Sequence, residues 1–247
     1  MHISRIPQQI QIGLGSAIRE FVREPVNLGL LIALPPIVII SYGSMMAAFP
    51  KLPFMTTSPQ TLGTINGTMY VAAFLPGVIG LFQVISALRA DERLAIVGFP
   101  RSIMFVSRML TVFVASLLTA SIAMVVLNTQ TTVARPLAGL GILLLVGNLY
   151  GLIGMIVGSI LPRELEGSLV LIFVADIDEA LASGIVRTDV AFTKLFPLHY
   201  PHDLFKAVVS GSGIEISTAI MAGSYWIVLV FVTLIVYTFV TGQREML

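Results

Sequence analysis

Residues 171–184 read LIFVADIDEALASG and residues 196–209 read FPLHYPHDLFKAVV. Between Asp176 and Asp203 they and their linker gather five acids and two histidines in a chain that elsewhere avoids charge. If a helix runs through Asp176, Asp178 and Glu179 as a membrane span, the chain crosses six times and both ends share one side. If it stops short, the parity changes.

The rest of the composition supplies the setting. Hydrophobic residues make up 56% of the 247 and charged residues 11%, with a mean hydropathy of +0.96; soluble domains carry about 25% charge. The chain therefore reads as an all-α integral membrane protein. Its net charge of +1 offers no basic surface for nucleic acid. The absence of cysteine removes disulfide frameworks and thiol chemistry. The leading residues lack an apolar run followed by a small-residue cleavage site, so the first span is expected to act as an uncleaved anchor.

A bilayer core of roughly 30 Å takes about 20 apolar residues in a helix. Five segments satisfy this, at about 26–48, 66–88, 102–127, 137–161 and 217–241. The sixth, about 167–182, begins as GSLVLIFVA and then meets its three acids, each costing about 2.5–3.5 kcal/mol at mid-bilayer. With six spans and the amino terminus inside, nine Lys/Arg fall inside and five outside. That asymmetry favours six spans with both termini cytoplasmic, the acids lying toward the outer interface. Ahead of the first span, Ile3, Ile6, Ile10, Leu14, Ile18 and Phe21 recur at helical spacing opposite Arg5, Gln8, Arg19 and Arg23. This predicts an amphipathic helix over about 3–24, lying in the membrane interface. Residues 1–247 thus form a single transmembrane domain.

Local motifs add detail. Gly98 and Pro100 punctuate ALRADERLAIVGFPRSIMFVSRML, predicting a short helix before the glycine and a new start near Pro100 and Ser102. Gly147, Gly151, Gly154 and Gly158 form overlapping small-xxx-small patterns that allow close helix packing, within this chain or against another. No P-loop, HExxH or G-x-S-x-G motif is present, so no catalytic residues are assigned and any ATP hydrolysis belongs to a partner. His199, His202 and Asp203 have a ligand-like order, but Pro201 disfavours helix at Tyr200, so no metal site is expected. The histidines are expected instead in an interfacial aromatic belt. Asp176 and Glu179, three residues apart, share a face, with Asp178 pointing elsewhere.

Pro197-Leu198-His199-Tyr200, followed by Asp203-Leu204-Phe205-Lys206-Ala207-Val208-Val209 and Gly211, resembles the segment before the last span of type-2 ABC transporter permeases. Glu92-Arg93 and Pro100-Arg101-Ser102 resemble that family's first cytoplasmic loop, although the intervening stretch is short and lacks the usual early glycine. The resemblance implies a transporter of two permease chains, identical or different, with two ABC ATP-binding subunits that hold ATP and Mg. Its cargo would be a lipid, glycan, drug or peptide exported across the cell membrane, with membrane lipids around it and no cofactor in this chain. Arg89, Glu92, Arg93, Pro100 and Arg101 would couple to the ATPase. The pathway would run along spans one, two and five, with Asp176, Asp178 and Glu179 on it. Short re-entrant helices carrying Pro197, Tyr200, Asp203 and Lys206 would form an outer gate, Pro197 and Pro201 separating two half-helices and Asp203 pairing with Lys206 in water. The alternative is an ion-coupled carrier using the intramembrane acids.

Overall fold

The computed structural model describes residues 25–51, 57–96, 100–161, 163–183 and 191–243. Seven α-helices and one 3-10 turn make up the described structure, with no strand among those residues. They are α1 (Pro25–Ala47), α2 (Pro59–Ile96), α3 (Arg101–Gln130), α4 (Pro136–Ile160), α5 (Glu164–Ala182), the 3-10 turn Ala191–Leu195, α6 (His199–Ser210) and α7 (Ile216–Gln243). The interfacial helix expected over about 3–24 lies outside the described residues.

Proline sets several of the starts. Pro25, Pro59 and Pro136 open their helices and Pro100 stands at the N-cap of α3. In the first turn a missing N–H leaves no intrahelical bond unmade, and the ring presets a helical φ. α1, α2, α3, α4 and α7 are long and apolar enough to cross a membrane. α5 is continuous through its acids for 19 residues but is not apolar enough to join them. The expected short helix before Gly98 is not separate: α2 continues unbroken through Arg89, Glu92 and Arg93 to Ile96.

α2 and α4 form the centre of the bundle, with α1, α3 and α5 against α2 and α3, α6 and α7 against α4. Their contact is a glycine seam. A Cβ on Gly154 would strike the Gly77 carbonyl of α2 and come within 3.0 Å of the Leu81 nitrogen. One on Gly158 would lie 2.7 Å from the Leu81 carbonyl, and one on Gly80 would strike the Gly151 carbonyl. Gly151 and Gly147 also turn toward Val112 and Ser116 of α3. Helix backbones approach this closely only where side chains are missing, and the gain is dispersion and Cα–H···O contact over the whole crossing. Gly147, Gly151, Gly154 and Gly158 thus all pack against helices of the same chain. Around the seam, Met69, Ala72, Ala73, Leu143, Val146 and Tyr150 have at most 1% exposure and join one apolar core with Phe205 and Val208 of α6.

Candidate functional site

α5 and α6 together make one discontinuous element. Asp178 of α5 has no exposed surface. Its Oδ2 accepts from the Tyr150 hydroxyl of α4 at 2.5 Å, and both its oxygens accept from the Leu198 backbone N–H at 3.1–3.2 Å. Leu198 is the N-cap of α6 and its own side chain gives no cap, so the acid from α5 serves that end. At the other terminus the roles reverse. Lys206 Nζ donates to the Ser183 carbonyl at 3.0 Å and the Ala182 carbonyl at 3.4 Å, the last groups of α5. A carboxylate at a helix start and an ammonium at a helix end both complement the backbone dipole. Between them, His202 Nε2 lies 3.2 Å from Glu179 Oε1. Leu198, His202 and Lys206 are four residues apart, so one stripe of α6 faces Asp178, Glu179 and Ala182–Ser183 in parallel register.

The seam is deep within the bundle. Tyr150 is two residues past the midpoint of the 25-residue α4, about 3 Å along the axis. The far end of α6 meets the start of α4, where the Ala134 N–H donates to the Val209 carbonyl at 3.3 Å. Gly211 then ends α6 in a left-handed conformation (φ 78°), with Ala134 against the space where a Cβ would stand. α5 therefore stops near the level of the middle of α4, and α6 carries on beside the other half. Two helix ends at this depth are short of partners, and the reciprocal capping supplies them.

Several expectations are corrected here. Asp178 and Glu179 are the buried pair, at 0% and 4% exposure, while Asp176 is exposed; α6 lies across both of their directions, and Asp176 and Glu179 still share the side toward Tyr42 and Tyr70. The acids sit at mid-bundle rather than at the outer end, because α5 ends early. His202 is wholly buried in the polar seam and not in an aromatic belt. Only His199 is among aromatics, edge-on to Tyr200 at 5.0 Å, with Tyr225 of α7 6.0 Å beyond. Tyr200 and Pro201 are helical, since Pro201 falls in the first turn of α6, where proline is tolerated. The two expected half-helices are a 3-10 turn and α6, and the break lies at Pro197 alone, ahead of the N-cap. Lys206 donates to the α5 carbonyls instead of turning to water, while the exposed Asp203 acts on it only as a nearby charge. Leu198, Leu204, Phe205, Val208 and Val209 are buried as anticipated.

Burying an isolated charge is costly, so charges this deep must be met by opposite charge or by backbone dipoles. The Lys206 ammonium meets two carbonyls and the Asp178 carboxyl a backbone N–H and a phenol. The Glu179–His202 contact is less complete: Glu179 Oε2 and His202 Nδ1 are buried with no hydrogen-bond partner. Among the described residues no three of His, Asp and Glu gather in a way that holds a metal ion. Lys206→Met is expected to lower stability by about 1 kcal/mol and Lys206→Arg by less, since only a cation meets the α5 carbonyls. Thermal unfolding of the two purified variants checks the order.

The expected coupling positions divide between two elements. Arg89, Glu92 and Arg93 lie on the extension of α2, and Pro100 caps the helix that Arg101 opens. Tyr150 gives no signal in the sequence, its hydroxyl being lost in an apolar run. Gly77 and Gly80 do give one, since their spacing matches that of the α4 glycines, but it is not singled out by sequence reasoning. The same holds for Tyr42 and Tyr70, stacked at 5.8 Å across α1 and α2. No family model matches the chain, and none of the curated proteins matches it.

Proposed function

We propose that this chain is the membrane-spanning permease subunit of an ABC transporter, powered by separate ATP-binding subunits and exporting a lipid-, glycan-, drug- or peptide-class substrate. The observation that carries the reading is the extension of α2. The helix continues seven residues past its first charged residue, Arg89, to Ile96, about 10 Å, with Glu92 and Arg93 on that stretch before α3 restarts behind Pro100. A stiff, charged helix continuous with a central span suits a part that transmits force from a cytoplasmic ATPase. The motif resemblance at Pro197–Gly211 and the lack of a nucleotide-binding loop support the same assignment.

In this reading both termini are cytoplasmic, and two permease chains assemble with two ATPases in the cell membrane. α5 begins the fifth of six crossings and ends at mid-bilayer, and α6 is a re-entrant helix that completes its outer half. Such broken helices are tolerated where protein satisfies their ends, and the Asp178–Lys206 seam does so. That makes the α5–α6 unit an outer gate that moves as one body.

Copurification of the tagged chain from its native membrane tests the class, since an ATPase must come with it. Glu92→Lys and Arg101→Glu should leave membrane abundance unchanged and hydrolysis present, while transport falls on the order of tenfold or more. Wild-type transport by both variants removes the coupling assignment.

The buried Glu179–His202 contact favours one other reading, a carrier driven by an ion gradient. It requires gradient-driven uptake into liposomes holding this chain alone, lost in Asp176→Asn.

A further inference from the structure

Asp176 is the one member of the Asp176, Asp178 and Glu179 trio that the seam leaves out. It is exposed, it lies beside the hydroxyls of Tyr42 and Tyr70, and it accepts a hydrogen bond from the Tyr70 hydroxyl. Tyr70 is three residues, about 4–5 Å, from the midpoint of the 29-residue apolar part of α2. Asp176 is therefore at membrane depth. A carboxylate open to lipid there costs about 2.5–3.5 kcal/mol or more, so such groups face a wet cavity or a bound partner.

Its surroundings are built for one chemistry. Tyr42 of α1 stacks on Tyr70 of α2 at 5.8 Å with 21° between rings, and Tyr70 on Phe74 at 5.7 Å with 12°. All three rings are half-buried. α1 and α5 both pack on α2, so α2 contributes Tyr70 and Phe74 as a floor, α1 one wall with Tyr42, and α5 the other with Asp176. Aromatic faces attract cations through their quadrupole, and the carboxylate adds a full opposite charge. A row of rings also takes apolar surface without asking for hydrogen bonds.

We infer that the groove between α1, α2 and α5 binds an amphipathic organic cation, its charge at Asp176 and its apolar body along Tyr42, Tyr70 and Phe74. That such a cation is cargo rests on the permease reading; that it binds does not. An anion is refused by Asp176 and Glu179, and among the described residues no three of His, Asp and Glu gather there to hold a small metal cation.

The test is equilibrium binding of radiolabelled tetraphenylphosphonium to the full chain in lipid nanodiscs, beside tetraphenylborate, an anion of nearly the same size. The cation is expected to saturate at one site per chain and the anion to show partition only. Asp176→Asn and Tyr70→Leu should each weaken cation binding by about tenfold, with Tyr70→Phe close to wild type because the ring face remains. Unfolding temperature should be unchanged in Asp176→Asn, since the carboxylate is exposed and carries no bond in the seam. Wild-type affinity in Asp176→Asn, or equal saturable binding of the anion, overturns the inference. If an ATPase copurifies in the same preparation while the cation fails to bind, the cargo class is wrong and the permease reading stands. Saturable cation binding without an ATPase upholds the site and removes the permease reading.

Discussion

Gly154→Leu is expected to yield almost no folded protein in detergent extracts, whereas Gly141→Leu, thirteen residues away on the same helix, behaves as wild type. A side chain at Gly154 would run into the Gly77 carbonyl and the Leu81 nitrogen, both backbone atoms of the central helix α2. Backbone cannot rotate aside as a flexible side chain can, so α2 and α4 must separate and the seam opens along its length. Overpacking in an ordinary core costs about 1–3 kcal/mol; forcing apart the central pair costs on the order of 4 kcal/mol or more. At Gly141 a Cβ meets nothing within 4 Å, so the same leucine is added at the surface of the same helix. Fluorescence-monitored size exclusion of both variants separates local strain from a general intolerance of α4 to bulk. A monodisperse Gly154→Leu peak of normal height would contradict the packing described above.

The second large effect is expected at Asp178. Asp178→Leu removes one acceptor and strands two donors, the Tyr150 hydroxyl and the Leu198 N–H, both without access to water. An orphaned buried donor costs about 1–3 kcal/mol, so the variant should lose about 3–5 kcal/mol. Tyr150→Phe removes a donor cleanly and leaves Asp178 its backbone partner, so it should cost about 1 kcal/mol. The double variant should cost less than the sum, because the leucine no longer strands a hydroxyl when phenylalanine is already present. A thermal-denaturation cycle over the four proteins reads a coupling of about 0.5–3 kcal/mol. Strict additivity would mean that the hydroxyl and the carboxylate do not act on each other. Asp176→Asn, two residues away, is the internal control: same helix, an exposed carboxyl, and an amide oxygen that can still accept from Tyr70.

Much of the architecture is written locally. Long apolar runs dictate five helices, since an uninterrupted stretch of that length has no other way to satisfy its backbone away from water. Prolines 25, 59, 100 and 136 mark four starts, and Gly211 the end of α6. These boundaries follow from the residue in place and need no neighbour, and most of the expected spans begin within a few residues of them; α2, expected over about 66–88, runs beyond both ends to Pro59 and Ile96.

The fate of the acids could not be read that way. Successive residues on a helix point about 100° apart, and nothing in α5 itself says which directions another helix will cover. Asp176, Asp178 and Glu179 have equivalent local contexts, yet α4 and α6 bury the last two and leave the first exposed. His202 and Lys206 looked like interfacial groups because their partners lie more than twenty residues back in sequence, on another helix of the bundle. The sequence alone determined that this is a bundle of membrane-length helices and where most of them begin, because helix formation in apolar surroundings depends on local composition. Only the tertiary structure decided that α5 and α6 are two halves capped by each other's charges, because that depends on which helix ends meet.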